Sequence, residues 1–429
     1  MTAAVPLEHD REWYPHLTPC PACGAALPTG DSFTTWCHDC DWNVNGGNPV
    51  EPRQHTLLSG WRRRITDWAA TRVYAGLAQR PEAVTAGRAH RLAVTLAVAV
   101  LVGVGLLLAA AIAFALSLQG VPRVVALALL ALTVWFFLPG RGRPDPRCLT
   151  VDPVQAPELH EAVARLADTL GAQPPDAIRV DTSYNLAVLT HGAFSRPVLV
   201  VGLPLWTAMA PEQRLAVISH ELGHLKRRDL RTRRLIGLAQ DLMWGTADLL
   251  WPRRTSEDGG TGAELLVLAT GAMQRVAALP FIGVALVLDR ADASARQEAE
   301  YLADRLAARL AGTSAAVSAL ASVLGPEPGQ VAASAAMRRG EDPWQPLREV
   351  RGRPQREIRR LARVGELVGH RSDDSHPPTH LRIRLLEECG PVTGRAPGID
   401  AATWAAIDRE LEPFRRELTP QFVDDLLEA

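Results

Sequence analysis

The chain has almost no lysine: Lys226 is the only one among 46 basic residues. All other basic side chains are arginine, a bias of GC-rich coding from which a bacterial origin is expected. Aromatic residues are scarce as well, at 5% of 429 residues, so Ala, Leu and Val must fill any core. No charge of one sign dominates, the formal net charge being -1. Without a basic field to hold a phosphate backbone, nucleic acid is not an expected partner. The opening stretch Met1–Asp10 is polar and lacks the apolar centre of a signal peptide. Beyond residue 40 only Cys148 and Cys389 remain of six cysteines, each read as a packing residue. A disulfide-stapled secreted framework is thereby excluded.

What is present falls into blocks. Residues 1–50 carry Cys20-Pro-Ala-Cys23 and Cys37-His-Asp-Cys40, two C-x-x-C pairs separated by thirteen residues. That spacing suits a zinc ribbon in which Cys20, Cys23, Cys37 and Cys40 close a structural site. Redox pairs or disulfides are the alternatives, but a redox site needs one pair rather than two. The ribbon's partner is not specified by its sequence. Residues 51–91 turn basic and read as a linker or as an interfacial helix with Trp61, Ile65 and Trp68. Residues 92–118 contain no charge, and a turn with Gly120, Pro122 and Arg123 leads into a second apolar run at 124–138. A helix crossing a bilayer needs roughly 20 apolar residues, so 92–138 reads as a transmembrane hairpin, with a buried helix pair as the bland alternative. Positive residues flank its two outer ends. The expected location is therefore the cell membrane, multi-pass, with both termini and the active site cytoplasmic.

The stretch Arg141–Arg147 reads as a linker. Residues 148–390 then have the composition of a globular domain, and 391–429 read as a C-terminal helical extension. Within the domain, periodicity marks a helix at 157–170, extended segments follow near 177–182, 185–190 and 197–202, and a helix runs from Pro211 to about Asp229. Residues 263–288 are apolar but interrupted by Gln274 and Arg275. They read either as a third membrane element or as a buried or membrane-grazing helix pair.

The chemistry lies in His220-Glu221-Leu222-Gly223-His224, an H-E-x-x-H on that helix. Two histidines at i and i+4 lie on one face, so their imidazoles can converge on zinc, with Glu221 as general base. A catalytic zinc needs a third protein ligand and an open position. Glu300-Tyr301-Leu302-Ala303-Asp304 offers Glu300 as that ligand. Asp304, one turn on, can accept a hydrogen bond from a ligand histidine. Glu298 is the competing ligand, and a solvated helix charge the bland reading of either glutamate.

The motif Val217-Ile-Ser-His-Glu-Leu-Gly-His224 with Arg227-Arg228-Asp229 resembles the metal helix of the HtpX and CAAX prenyl protease family. Glu300-Tyr-Leu-Ala-Asp304 resembles that family's third-ligand motif. Ser375-His376-Pro377-Pro378 with Arg382-Ile383 resembles its C-terminal element, and Asn185 with the run to Gly202 resembles its edge-strand segment. The likeness covers about 148–388, with the four motifs in the family's order. Gln297 and Ala299 depart from it, standing where the family has basic residues. The resemblance implies an α+β, mostly helical, zincin-like metallopeptidase domain with a small edge sheet, joined here to a membrane hairpin and a zinc ribbon. It implies a zinc metalloendopeptidase acting on polypeptide substrates, with membrane protein quality control as its expected setting. In it Glu221 deprotonates water, His376 or Arg382 stabilises the oxyanion, and the strand from Asn185 holds substrate by strand addition. One catalytic and one structural zinc are expected. A non-catalytic scaffold or sensor is the alternative, opposed by the intact Glu221 and ligand set. Prenylated-protein processing fits less well, for want of a large multi-span chamber.

Overall fold

A computed structural model of the chain describes residues 13–30, 33–46, 68–78, 88–137, 147–191, 196–226, 229–251, 261–324, 327–349, 355–368, 376–394 and 398–428. Trp61 and Ile65 of the expected interfacial helix, the linker 141–146, Arg227, Arg228 and Ser375 lie outside the described residues.

The ribbon is a small hairpin, β1 (His16–Pro19) antiparallel to β2 (Ala26–Thr29), with Cys20, Leu27 and Cys37 in its buried centre. Helix α1 (68–78) follows and lays Val73, Tyr74 and Leu77 against Tyr301, Leu381 and Leu385. Trp68 stays partly exposed, with Arg290 stacked over its ring at 3.7 Å.

Two apolar helices come next, α2 (Arg88–Ser117) and α3 (Val121–Phe137). Helix α2 covers the first expected run; α3 starts earlier than the second, takes Pro122 and Arg123 into its first turn, and among the described residues is shorter than a membrane span needs. Along α2 large side chains face outward: Leu106, Leu107 and Phe114 are each about two-thirds exposed, a contiguous apolar surface that a soluble chain rarely leaves open.

The globular domain is built on a four-stranded sheet of order β3-β4-β6-β5. Its strands are β3 (Leu149–Val151), β4 (Ala177–Asp181), β5 (Leu186–His191) and β6 (Arg196–Gly202). Strand β4 runs parallel to β6, while β5 pairs antiparallel with β6 and forms one edge. Gly202 ends β6 under constraint, since a Cβ there would stand 1.9 Å from the Ser183 carbonyl oxygen. Helix α4 (Pro157–Leu170) buries Leu159, Val163, Leu166 and Leu170 on the sheet, at the spacing of one helical face. Short α5 (Leu203–Ala208) leads to α6 (Pro211–Lys226) and α7 (Asp229–Leu250).

Helix α8 (Thr261–Ala311) is the longest element at 51 residues. It replaces the helix pair considered for 263–288 with one continuous rod. Gln274 and Arg275 are exposed on its flank and do not interrupt it. Its first half joins α2 and α7 through Ala93, Ala97, Ala239, Ala285 and Ala291, small residues that let helices approach closely. Within that bundle Gln240 and Trp244 donate to the buried Asp289 at 2.8 and 3.2 Å. Among the described residues two helices, His90–Ser117 and Thr270–Ala311, are long and apolar enough to cross a membrane.

Helices α9 (Thr313–Leu324), α10 (Glu327–Arg338), α11 (Gln345–Glu349), α12 (Gln355–Val368) and α13 (Thr379–Glu388) complete the second half of the domain. The last helix, α14 (Ala401–Glu428), places Trp404, Ile407, Leu411, Phe414 and Phe422 in the same core as the sheet. Its Glu410 accepts from the Glu158 and Leu159 amides at 2.9 and 3.1 Å, capping α4. Helix α14 therefore shares the domain's core. Cys389, expected to pack, is exposed because it caps the C-terminal end of α13.

Candidate metal centre

Gly223, one of the two unspecified positions of H-E-x-x-H, decides how closely α6 can meet α8. A Cβ on it would lie 3.4 Å from Ala303 and 3.3 Å from Leu306. Glycine on α6 facing alanine on α8 lets the helices touch there. That contact brings Glu300 of α8 beside His220 and His224 of α6. All three are buried, with donor atoms within 4.8 Å of one another.

The spacing of those donors tests whether a metal fits. His220 Nε2 and His224 Nε2 lie 3.3 Å apart. Glu300 Oε2 lies 3.4 Å from His220 Nε2, and Oε1 lies 3.4 Å from His224 Nε2. A tetrahedral zinc with bonds of about 2.0–2.1 Å would set its ligands about 3.3–3.4 Å apart. Glu300 Oε2 is buried and accepts no hydrogen bond. Burial opposes charge on His220, yet the adjacent Asp304 and Glu300 carboxylates outweigh it and raise its pKa to about 10. The pocket thus favours positive charge at this point, which a bound cation would supply. Nitrogen and carboxylate donors of this kind suit zinc.

Asp304 stands one turn beyond Glu300, 3% exposed. Its Oδ1 lies 3.0 Å from His220 Nδ1, which leaves Nε2 directed at the other two donors. Arg382, the first-turn residue of α13 that faces inward, holds Asp304 by two bonds, from Nε at 2.8 Å and from Nη2 at 2.6 Å. The same Nη2 is 3.7 Å from Glu300 Oε2. His376, three residues before α13, points Nε2 at Glu300 Oε2 from 3.5 Å and remains partly open to solvent. Pro377 and Pro378 fix the backbone between that histidine and the helix.

Glu221 projects from α6 toward the sheet edge, where its Oε2 accepts the Val188 amide of β5 at 2.8 Å. Burial pushes its carboxyl above the ordinary carboxylate range, opposed by the charge of His220 and by that amide. Asn185 precedes β5, exposed, its Oδ1 accepting the Leu186 amide at 2.9 Å. Every site residue expected in this domain thus lies on one face of the α6–α8 junction, except Asn185, which stands at the start of the edge strand. Glu298, the competing ligand, does not belong to the donor cluster.

This arrangement covers most of the segment 153–389, which the profile of Peptidase family M48 matches. The chain belongs to peptidase family M48. It is similar to the protein named Protease HtpX homolog 1 of Saccharolobus solfataricus, 28% identical over 128 residues, 29% of this chain and 40% of that protein. It is also similar to the Protease HtpX homolog of Moorella thermoacetica, 36% identical over 80 residues, 19% and 27% of the two chains. The matched part spans less than half the length of either relative. No solved structure matches the chain.

The four ribbon cysteines lie outside the M48 segment and form a second donor cluster. All four are free thiols, with Cys20 and Cys40 sulfurs 3.7 Å apart and those of Cys23 and Cys37 3.6 Å apart. Tetrahedral zinc with bonds of about 2.3 Å would place thiolates about 3.8 Å apart. His38 is well exposed beside them.

Sequence reading missed two features of this centre. Gly223 and Ala303 were legible as small residues inside the two motifs, but their meeting was not. The two-point hold of Arg382 on Asp304 joins residues 78 positions apart, which no local pattern shows.

Proposed function

We propose that this M48 chain is a membrane-anchored, zinc-dependent endopeptidase with a cytoplasmic active site and a structural zinc in its ribbon. The observation that carries the reading is the convergence of the buried His220, His224 and Glu300 donors within 4.8 Å of one another, with Glu221 beside them and hydrogen-bonded to the edge strand. When bound, zinc supplies Lewis acidity to the scissile carbonyl and to the attacking water. The other parts belong to the chain. Substrate adds as a strand along β5, begun at Asn185. Its insertion competes for the Val188 amide and frees the Glu221 carboxylate, which takes the proton from water and passes it to the leaving amine. His376, open to solvent and aimed at the centre, donates to the developing oxyanion. Arg382 and Asp304 act as positioning residues, holding His220 in the tautomer and orientation that ligation needs. The exposed apolar helices anchor this centre at a bilayer, so membrane and membrane-proximal proteins are its substrates, as quality control requires.

The test uses full-length protein in nanodiscs and a quenched fluorescent peptide mixture. Glu221→Gln should retain zinc and lose hydrolysis, because only the proton acceptor is removed. Hydrolysis at the wild-type rate would refute the mechanism.

A further inference from the structure

Helix α12 has two opposed faces. On one, Ile358 and Leu361 join Ile383 and Leu386 of α13 and Ala307 and Ala308 of α8 in a single buried cluster. On the other stand Arg356, Arg360 and Arg363, spaced i, i+4 and i+7, on one helical stripe. These three arginines meet the ribbon, about 320 residues away in sequence. Arg356 donates to the Trp36 carbonyl and lies over the Trp36 and Tyr14 rings at 5.5 and 5.8 Å. Arg360 is clamped by Glu357 through two bonds of 2.8 Å, which aims its Nη1 at the Val44 carbonyl, 2.7 Å away. Arg363 holds Asp41 by Nε at 3.1 Å and Nη2 at 2.7 Å. Arg356, Glu357 and Arg360 are each under 10% exposed, so this part of the seat is dry, while the Arg363–Asp41 pair at its rim is about a third exposed.

Two ribbon groups in that seat adjoin the cysteine cluster, and Val44 follows through its amide, which donates to the Asp41 carbonyl at 3.2 Å. Trp36 precedes Cys37, Asp41 follows Cys40, and the Cys37 amide donates to the Trp42 carbonyl at 3.0 Å. Asp41 also adopts φ of 57°, a left-handed backbone held where non-glycine residues rarely go. A guanidinium offers five donors in a rigid fork that matches a carboxylate, as Arg363 does on Asp41.

The geometry points to the ribbon as an intramolecular clamp: its metal holds Trp36, Asp41 and Val44 against α12, and α12 thereby fixes α13, which positions Arg382 and the His376 loop at the catalytic centre. The ribbon's partner is this chain's own arginine stripe. The inference rests on the proposed metallopeptidase and ribbon metal readings, and only one helix separates the two centres. Disturbing the ribbon should therefore shift Arg382 from Asp304 and His376 from Glu300, with no change to any catalytic residue.

The test uses the full chain in nanodiscs and compares Asp41→Arg, Arg363→Asp, the combined charge swap, and Cys23→Ser with Cys40→Ser. Hydrogen exchange is followed over 355–368 and 379–388, with total zinc by elemental analysis and peptide turnover in parallel. Each single reversal should raise exchange over both helices and lower kcat about tenfold at unchanged KM, the size of an ordinary intersite coupling. The swap should restore both, which a merely disruptive substitution would not. The cysteine variant should lose one zinc per chain and show the same exchange. The clamp is refuted if single reversals free residues 33–46 while 379–388 and kcat stay at wild-type values. It is equally refuted if zinc leaves the ribbon with no change over 355–368. A wild-type chain that never hydrolyses peptide would sink the enzymatic reading alone, because the exchange measurements still decide the coupling.

Discussion

Asp304 offers the sharpest test of the catalytic centre, because two different energies depend on it. It orients His220 through Nδ1 at 3.0 Å and neutralises Arg382, itself 6% exposed. Losing the acceptor that orients a ligand histidine lowers metal affinity by about 10–100-fold, or about 1.4–2.7 kcal/mol. Removing one partner of a buried ion pair costs about 3–5 kcal/mol of stability. In Asp304→Ala the orphaned guanidinium has an alternative, since Glu300 Oε2 is already 3.7 Å from Nη2. A shift of roughly 1 Å would complete that pair at ordinary charge-assisted distance. The stability loss should then sit at the low end, about 3 kcal/mol. The zinc loss should sit at the high end, about 100-fold, because Arg382 now competes for a ligand oxygen. Chelator competition on purified protein reads the affinity, and thermal unfolding reads the stability. Asp304→Ala with Arg382→Ala removes the competitor and should regain about tenfold in affinity over the single variant. Zinc affinity within about threefold of wild type in Asp304→Ala would refute the orienting role. A double variant weaker than the single would refute the competition.

His376→Ala should lower kcat by about 10²–10³ with zinc retained, as expected for loss of one oxyanion donor; turnover and elemental analysis together check it, and normal turnover would make the Pro377–Pro378 loop structural. Reporter fusions at residues 1 and 429 should both report the cytoplasm and one at Gln119 the opposite side, and an external C-terminus would overturn the orientation.

The ligands were legible because helix geometry is local. His220 and His224 share a face by spacing alone, and Asp304 follows Glu300 by one turn, so each motif needed only its own helix. The strands were legible because Val, Ile and Leu cluster between turn residues, and all three extended segments of 177–202 formed as read. What could not be read was contact between distant segments. Arg382 reads beside His376 as an oxyanion donor, and its two bonds to Asp304 appear only in the folded chain. Residues 355–368 draw no reading of their own, and the arginine stripe of α12 gains meaning only because Trp36, Asp41 and Val44 face it. Residues 263–288 carried both apolar and polar signals because α8 passes from a helix bundle into the metal centre without a break.

That continuity limits where cleavage can occur. On the proposed topology the charge-free run of α2 begins at Leu92, and Ala93 belongs to the same small-residue cluster as Ala291 of α8. On that topology we place the cytoplasmic boundary of the apolar layer on α8 at Ala291, the last α8 residue of that cluster. Glu300 lies nine residues further along an unbroken helix, about 14 Å at 1.5 Å per residue. A substrate leaving the bilayer as a strand advances about 3.3 Å per residue, so it needs about four residues to reach the metal. Shorter tethers cannot span the gap, and longer ones reach it only at a growing entropic cost. A single-span substrate reconstituted with the enzyme, its cytoplasmic scissile segment moved outward two residues at a time, should be cut fastest at about four to six residues from the apolar boundary. Cut sites mapped by mass spectrometry that ignore this distance, or that appear fastest beyond about ten residues, would show that α8 does not fix the depth of the active site.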